Sequence, residues 1–283
     1  MVKPTLPCKS WFNCSNKMTQ NNMNILETII EEKKLEVQKR KAAITVKELE
    51  RIPYFMRRTC SLKKFLLDET RTGIIAEFKR RSPSKGVINS GADVAAVTKA
   101  YANNGASGLS VLTDEKFFGG CTDDLMRARA NAIPILRKDF IIDEYQIVEA
   151  RAMGADVILL IAACLSPEEV KQLAVFAKGL DLEVLLELHA EEELGHICDE
   201  TELVGVNNRN LKTFAVDIER SLEMARRIPE NKIKIAESGI SSADMIRLFR
   251  ENGFKGFLVG ETFMKEKDPG AAFKAFVESL LVQ

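Results

Sequence analysis

Short runs rich in aliphatic and β-branched residues recur at regular intervals along this chain, and a helical pattern lies between each run and the next. The eight runs span residues 74–78, 108–113, 134–139, 157–162, 183–189, 203–208, 232–238 and 256–261. Strands that alternate with helices are typical of a parallel sheet covered by crossover helices. Eight such units predict an α/β protein with a closed (β/α)8 TIM barrel.

An open, doubly wound sheet is the alternative fold for the same alternation of elements. That fold usually carries a glycine-rich turn directly after its first strand. Here the first predicted strand is followed by Ser-Pro-Ser-Lys-Gly, and no G-x-G-x-x-G motif occurs in the chain. We therefore favour the barrel.

The region before the first strand has a different pattern. Residues 1–22 show no periodicity and are predicted to be a disordered tail. An apolar stripe then predicts an amphipathic helix, with Ile25, Leu26, Ile29, Ile30 and Val37 on one face. Two shorter helices follow, one opened by a capping box at Thr45 and Glu48. We predict one barrel domain over residues 23–283, with 23–70 as its N-terminal helical extension.

Charge and cysteine content narrow the function. Lys plus Arg equals Asp plus Glu, at 41 each, so there is no excess charge to attract nucleic acid or an anionic membrane. The 6 cysteines form no C-x-x-C pair and have no nearby histidine cluster, which is typical of reduced thiols in a cytoplasmic protein. We expect a small-molecule ligand, no metal or other cofactor, and a monomer or weak homo-oligomer.

Polar side chains interrupt the predicted strands at their C-terminal ends, which is where barrel enzymes build their active sites. They are Glu77 and Lys79, Lys138 and Asp139, Glu187 and His189, Asn207 to Arg209, Glu237 and Ser238, and Glu261. Each of them could instead be a strand-end residue in solvent or in a salt bridge, an alternative that is strongest for Asp139 and His189. Burying two lysines and three glutamates in one barrel mouth would cost desolvation free energy that a purely structural role does not explain. Together they predict acid–base chemistry.

The loops after the last two strands contain Ser238-Gly239 and Gly260-Glu261. In barrel enzymes these two loops commonly hold a phosphate group through backbone N–H groups and a helix N-terminus. We therefore expect a phosphorylated small molecule.

The strand-end blocks resemble, in the same order, those of the indole-3-glycerol phosphate synthase family of tryptophan biosynthesis. The matching stretches are IIAEFKRRSPSKG, LSVLTDEKFFGG, PILRKDFIIDEYQI, LLELH, VGVNNRNL, AESGI and FLVGE. The resemblance covers residues 23–283. It implies a carboxy-lyase that closes 1-(2-carboxyphenylamino)-1-deoxyribulose 5-phosphate to indole-3-glycerol phosphate, with release of CO₂ and water.

The same resemblance implies roles for individual residues. Lys138 would be the general acid that activates the carbonyl, and Glu187 would be the base for the dehydration and would hold the charge of Lys138. Lys79 would be the second lysine, in contact with substrate oxygens and the phosphate, and Glu77 would orient the lysines. The remaining substrate contacts would be Ser82, Pro83, Phe118, Phe140, Leu159, Asn207, Arg209, Leu211, Glu237 and Ser238. The phosphate would meet Gly239, Gly260 and Glu261.

Two other functions stay open on the sequence. One is another phosphate-binding barrel, such as phosphoribosylanthranilate isomerase or the tryptophan synthase α chain, which lack paired lysines on strands one and three. The other is a non-catalytic protein that binds a phosphorylated ligand, which the loss of either lysine would favour. Both lysines are present.

Overall fold

A computed structural model describes residues 25–210 and 213–281, and within these ranges eight parallel strands close into a barrel. We number the barrel strands β1 to β8: Ile74–Phe78, Gly108–Leu112, Ile135–Lys138, Val157–Ile161, Glu183–Leu188, Leu203–Asn207, Ile233–Glu237 and Phe254–Val259. Each strand pairs with the next, and β8 closes on β1 with Ile74 opposite Phe257. The predicted TIM barrel is confirmed, and every predicted run contains or overlaps a strand.

The helices surround this barrel. In chain order α1 to α12 are Ile25–Ala43, Val46–Leu49, Leu62–Leu67, Val94–Asn103, Glu115–Phe118, Thr122–Ala128, Glu144–Met153, Pro167–Gly179, Ile218–Ala225, Ala243–Glu251, Glu261–Met264 and Pro269–Leu281. Short 3-10 turns occur at Pro53–Met56, Ala162–Cys164 and Glu191–His196. After β1, the two-residue strands Arg81–Ser82 and Gly86–Val87 form a small antiparallel hairpin.

Helix starts follow the capping chemistry of the sequence. The Thr45 side chain accepts the N–H of Glu48, and the Glu48 carboxylate accepts the N–H of Thr45, which confirms the predicted capping box. Ser166 forms the same reciprocal capping box with Glu169 at the start of α8, and the Ser242 side chain accepts the N–H of Met245 at the start of α10. These caps fix where each helix leaves its preceding loop.

One end of the barrel is plugged. Leu62 and Leu66 of α3 belong to the same buried cluster as inward-facing strand residues such as Ile75 and Leu185. At this end Lys63 donates its backbone N–H to the Glu183 carboxylate, at the start of β5, over 3.0 Å. Because α3 closes the N-terminal ends of the strands, a ligand must enter from the C-terminal ends.

The predicted tail at residues 1–22 lies outside the described residues, and the single-domain boundary at 23–283 stays a prediction. Helix α1 confirms the first helix that the apolar stripe predicted. Among the described helices, none is long and apolar enough to cross a membrane.

Candidate active site

A cavity of about 320 Å³ opens at the C-terminal ends of the barrel strands. Every predicted site residue that the structure describes lines it: Glu77, Lys79, Ser82, Pro83, Phe118, Lys138, Phe140, Leu159, Glu187, Asn207, Arg209, Glu237, Ser238, Gly239, Gly260 and Glu261. Leu211, the remaining predicted residue, lies outside the described residues. The strand ends therefore converge as the barrel prediction requires.

Lys138, the last residue of β3, has its ammonium between two carboxylates. Its Nζ lies 2.6 Å from Glu187 Oε2 on β5 and 3.6 Å from Glu237 Oε2 on β7. Burial alone would lower the pKa of Lys138, but the charges of Glu187, Glu237 and Glu77 outweigh it and raise the pKa above its ordinary value. Lys138 is therefore a cation throughout the neutral range.

Glu187 is bound on both of its oxygens. Oε2 accepts from Lys138, while Oε1 accepts the Asn207 amide at 3.0 Å and lies 3.0 Å from His189 Nε2. Burial would raise the pKa of Glu187, yet Lys138 and the contact with His189 hold it well below the ordinary range. Glu187 is therefore a carboxylate that can accept a proton only when its partners shift.

Glu237, at the end of β7, has the opposite electrostatics. It is 1% exposed, and among the described residues its Oε1 has no hydrogen-bond partner. Burial, followed by repulsion from the Glu187 carboxylate, raises the pKa of Glu237 well above its ordinary value. A side chain at Gly205 would collide with this carboxyl group, since an added Cβ would lie 2.1 Å from Glu237 Oε1. Glycine on β6 thus makes the room for a buried acid.

This raised pKa predicts that Glu237→Gln is more stable than the parent at neutral pH. A carboxyl whose pKa rises on folding favours the folded state below its unfolded pKa and loses that contribution as pH rises through the folded value. The glutamine stays neutral, so its advantage should be present at pH 7.5 and absent at pH 4. For a chain of this size each 1 kcal/mol moves Tm by about 2–4 °C, which thermal melts at both pH values resolve. A variant that melts lower at pH 7.5 would contradict the assignment.

Glu77 and Lys79, two residues apart on β1 and its following loop, form an ion pair of 2.7 Å while both line the cavity. Glu77 is buried against the backbone after β8, where an added Cβ at Gly260 would lie 2.6 Å from its Oε1.

Asp139, by contrast, has its charge balanced by cations behind the cavity wall. It pairs with Lys33 at 2.8 Å and with Arg137, so the salt-bridge alternative holds for this residue although it touches the cavity wall.

An apolar wall stands on one side of the cavity. The Phe118 and Phe140 rings have centroids 6.1 Å apart, at an interplanar angle of 43°, and Leu159 lies on the same lining. Sequence reasoning missed that Ile25, Leu26 and Ile29 of α1 also line the cavity. The apolar stripe that predicts α1 was visible, but nothing in it says that the stripe faces the barrel mouth.

The loops after β7 and β8, which contain Gly239 and Gly260, lie on the opposite side of the cavity. Ser238 and Gly239 are both left-handed, with φ of +68° and +72°, which turns the chain sharply after β7. The Glu261 carboxylate faces two cations, with Lys85 Nζ at 3.4 Å and Arg209 Nη2 at 3.5 Å. Lys85 was not among the predicted residues, although it lies within the Ser-Pro-Ser-Lys-Gly stretch. Across the described residues, no group of three His, Cys, Asp or Glu side chains could hold a metal ion.

Comparison with known proteins agrees with this geometry. A family model described as indole-3-glycerol phosphate synthase matches residues 26–276. The indole-3-glycerol phosphate synthase of Bacteroides thetaiotaomicron is 46% identical over 91% of this chain and 99% of that protein. The enzyme of the same name from Chromobacterium violaceum is 50% identical over 71% of this chain and 77% of its own length.

Two solved structures are similar to this chain in their barrel fold alone. A structure of the tryptophan synthase a2b2 complex from Pyrococcus furiosus contains a chain with a TM-score of 0.56 and 17% identity, covering 75% of this chain and 98% of that one. A crystal structure of 3-hexulose-6-phosphate synthase has a TM-score of 0.57 and 13% identity, and the match covers 73% of this chain and 99% of that one.

Proposed function

This chain belongs to the indole-3-glycerol phosphate synthase family, and we propose that Lys138, Glu187, Lys79 and Glu77 carry out the ring closure of that family's reaction in the barrel mouth. The substrate is 1-(2-carboxyphenylamino)-1-deoxyribulose 5-phosphate, and the products are indole-3-glycerol phosphate, CO₂ and water. The observation that carries the proposal is the Lys138 ammonium, held between the carboxyl groups of Glu187 and Glu237 in the same cavity as Lys79.

Lys138 activates the open-chain carbonyl. Its ammonium donates a hydrogen bond to the carbonyl oxygen, which makes the carbon electrophilic toward the ring carbon that bears the carboxylate. Although its raised pKa makes Lys138 a weak acid toward water, the alkoxide that forms during attack is far more basic, so the proton moves as the bond forms. The new charge is stabilised by a group already in place, which is the main electrostatic contribution of such sites.

The later steps need one base and one acid. Loss of CO₂ restores the aromatic ring, and the hydroxyl at the new bond then leaves as water. Glu187, which is ionised, removes the proton that the cyclised intermediate loses together with its hydroxyl, while Lys79 protonates the leaving hydroxyl so that it departs as water. Glu77 holds Lys79 at 2.7 Å until substrate oxygens take over this contact.

The two walls of the cavity bind the two ends of the substrate. Phe118, Phe140 and Leu159, with Ser82 and Pro83, surround the carboxyphenyl ring, while Asn207 and Arg209 contact the substrate at and just after the end of β6. The backbone N–H groups of Gly239, Gly260 and Glu261, together with Ser238 and Lys79, bind the phosphate. Both ends hold the reacting atoms close together, which lowers the entropic barrier to ring closure.

The direct test adds the synthetic substrate to the purified protein and follows the rise of indole fluorescence. We expect turnover without added metal or cofactor. Absence of product over hours, at enzyme and substrate concentrations in the micromolar range, would refute the proposed function.

Inorganic phosphate should raise Tm and compete with substrate, because a ligand that binds only the folded state stabilises it by RT ln(1 + [L]/Kd). At a phosphate concentration 100 times Kd the gain is about 2.7 kcal/mol. Sodium chloride at the same ionic strength is the control, and Lys79→Met should reduce the phosphate effect. Equal Tm shifts in phosphate and chloride would argue against the site after β7 and β8.

We further propose that the protein acts in the cytoplasm as a monomer or weak homo-oligomer. The basis for the cytoplasm is the four described cysteines, Cys60, Cys121, Cys164 and Cys198, which are all free thiols. Light scattering after gel filtration measures the oligomeric state, and a stable higher oligomer would contradict the second part.

A further inference from the structure

Helix α1 carries a lysine in the middle of its buried face. Ile29, Lys33 and Val37 are the buried residues of the helix, and they are spaced four residues apart. Lys33 is 1% exposed, and its Nζ lies 2.9 Å from Asp114, 2.8 Å from Asp139 and 2.8 Å from Glu36. A buried ammonium with this many carboxylate partners is held firmly, because removing it leaves uncompensated charges out of water.

Asp114 connects Lys33 to one aromatic ring of the cavity. It caps α5, where its Oδ1 accepts the backbone N–H groups of Phe117 at 2.7 Å and Phe118 at 3.2 Å. Its other oxygen, Oδ2, binds Lys33. The position of Phe118 therefore follows from where Asp114 sits.

Asp139 connects Lys33 to the other ring. Its Oδ1 accepts both the Lys33 ammonium and the backbone N–H of Phe140, the latter at 2.9 Å. Its Oδ2 accepts from the Thr113 hydroxyl at 2.6 Å and lies 3.2 Å from Arg137. Burial would raise the pKa of Asp139, but Lys33 and Arg137 hold it far below the ordinary range, so this anchor stays ionised.

We infer that Lys33 is a positioning residue that sets the separation of the Phe118 and Phe140 rings, and thereby the affinity for the aromatic end of the ligand. Lys33 is the shared partner of two carboxylates, each of which hydrogen-bonds the backbone of one of the two phenylalanines. The inference rests on the proposed function, because it takes the space beside these rings as the seat of the carboxyphenyl group. It assigns to the N-terminal helix a part in substrate selection.

The geometry distinguishes this role from general stabilisation. The two carboxylates that Lys33 joins lie after β2 and β3, whereas the phosphate loops follow β7 and β8. Loss of Lys33 should therefore weaken contacts to the aromatic ring and spare those to the phosphate. If Lys33 were purely structural, its loss would weaken binding of the aromatic end and of the phosphate end equally, or would weaken neither.

The test compares Lys33→Met with Lys34→Met, which changes an exposed lysine on the same helix that pairs with Glu31, its neighbour one turn earlier. Two ligands are titrated by calorimetry: the substrate analogue whose carbonyl is reduced to an alcohol, which cannot cyclise, and inorganic phosphate. We expect Lys33→Met to lower the affinity for the analogue at least about tenfold and to change the affinity for phosphate by less than about twofold. Lys34→Met should change neither affinity. Lys33→Arg, which restores the charge, should recover part of the affinity.

If Lys33→Met does not fold, the double variant Lys33→Met, Asp114→Asn is used instead. It removes the negative charge of Asp114, which loses its partner when Lys33 is replaced. Unchanged affinity for the analogue in a folded Lys33 variant would overturn the inference, and so would equal weakening of analogue and phosphate. Failure of the proposed function would look different, since the parent protein itself would then show no turnover and no preference for the analogue over phosphate.

Discussion

Lys138→Ala is expected to lower kcat by about 10²–10⁴-fold, the range that a positioned general acid contributes. The loss should fall on kcat far more than on KM, because the proton is needed as the alkoxide forms rather than when the substrate binds. Steady-state kinetics by indole fluorescence measures both constants. Lys171→Ala, on the exposed surface of α8, is the matched control and should behave like the parent.

The folded state should survive this substitution. Without the ammonium, Glu237, whose pKa is already raised by burial and by the Glu187 carboxylate, can hold a proton and so avoid an unpaired buried charge. The variant should therefore lose stability as pH rises, since that proton is harder to retain. A variant with near-parental kcat would show that the carbonyl is activated by another group, and Lys138 would then be a structural cation.

Glu187→Gln is expected to reduce kcat by a similar factor of about 10²–10⁴. The amide keeps the size of the side chain and can still accept a hydrogen bond from Asn207, but it can neither remove a proton nor balance the charge of Lys138. Glu192→Gln, which changes an exposed carboxylate just beyond β5, is the control. A rise in KM alone would make Glu187 a binding residue rather than the base.

The stability of this variant should depend on pH in a defined direction. The pKa of Glu187 is depressed on folding, so its contribution is present above the unfolded pKa of about 4.3 and is lost as pH falls through the folded value. The difference in Tm between the parent and Glu187→Gln should therefore be largest near neutral pH and shrink in acid. At neutral pH the Glu237→Gln variant should melt above the parent, whereas Glu187→Gln should melt below it. The sign of the Tm difference therefore distinguishes the two carboxyl groups.

The barrel could be predicted from the sequence because its strands are buried on both faces and are bounded by polar residues at one end. Glu187 on β5 and Lys138 on β3 were expected in one mouth, since closure of a barrel brings all strand ends together. The family resemblance also implied that Glu187 holds the charge of Lys138, and the two groups are paired at 2.6 Å. Strand patterns alone could not give this pair, because it depends on side-chain directions from strands that are not adjacent.

Lys33 shows what sequence patterns conceal. Between Ile29 and Val37 it occupies a position where a lysine commonly lies along an apolar surface with its charge in water. Only the positions of Asp114 and Asp139, which follow Lys33 by 81 and 106 residues along the chain, show that the ammonium is buried and paired. For Asp139 a salt bridge at the strand end was the stronger expectation, but the sequence did not identify Lys33 as its partner.

The seam between β1 and β8 has a consequence for how this protein acquires its activity. Ile74 cannot find its partner Phe257 until nearly the whole chain has been synthesised, and such distant pairings slow folding because a long loop must be closed first. Until then the apolar edge of β1 is exposed and open to association with other chains. Glu77 packs against Gly260 at this same seam. The pocket is therefore complete only when this seam has formed, and we expect recovery of activity during refolding to follow closure of the barrel.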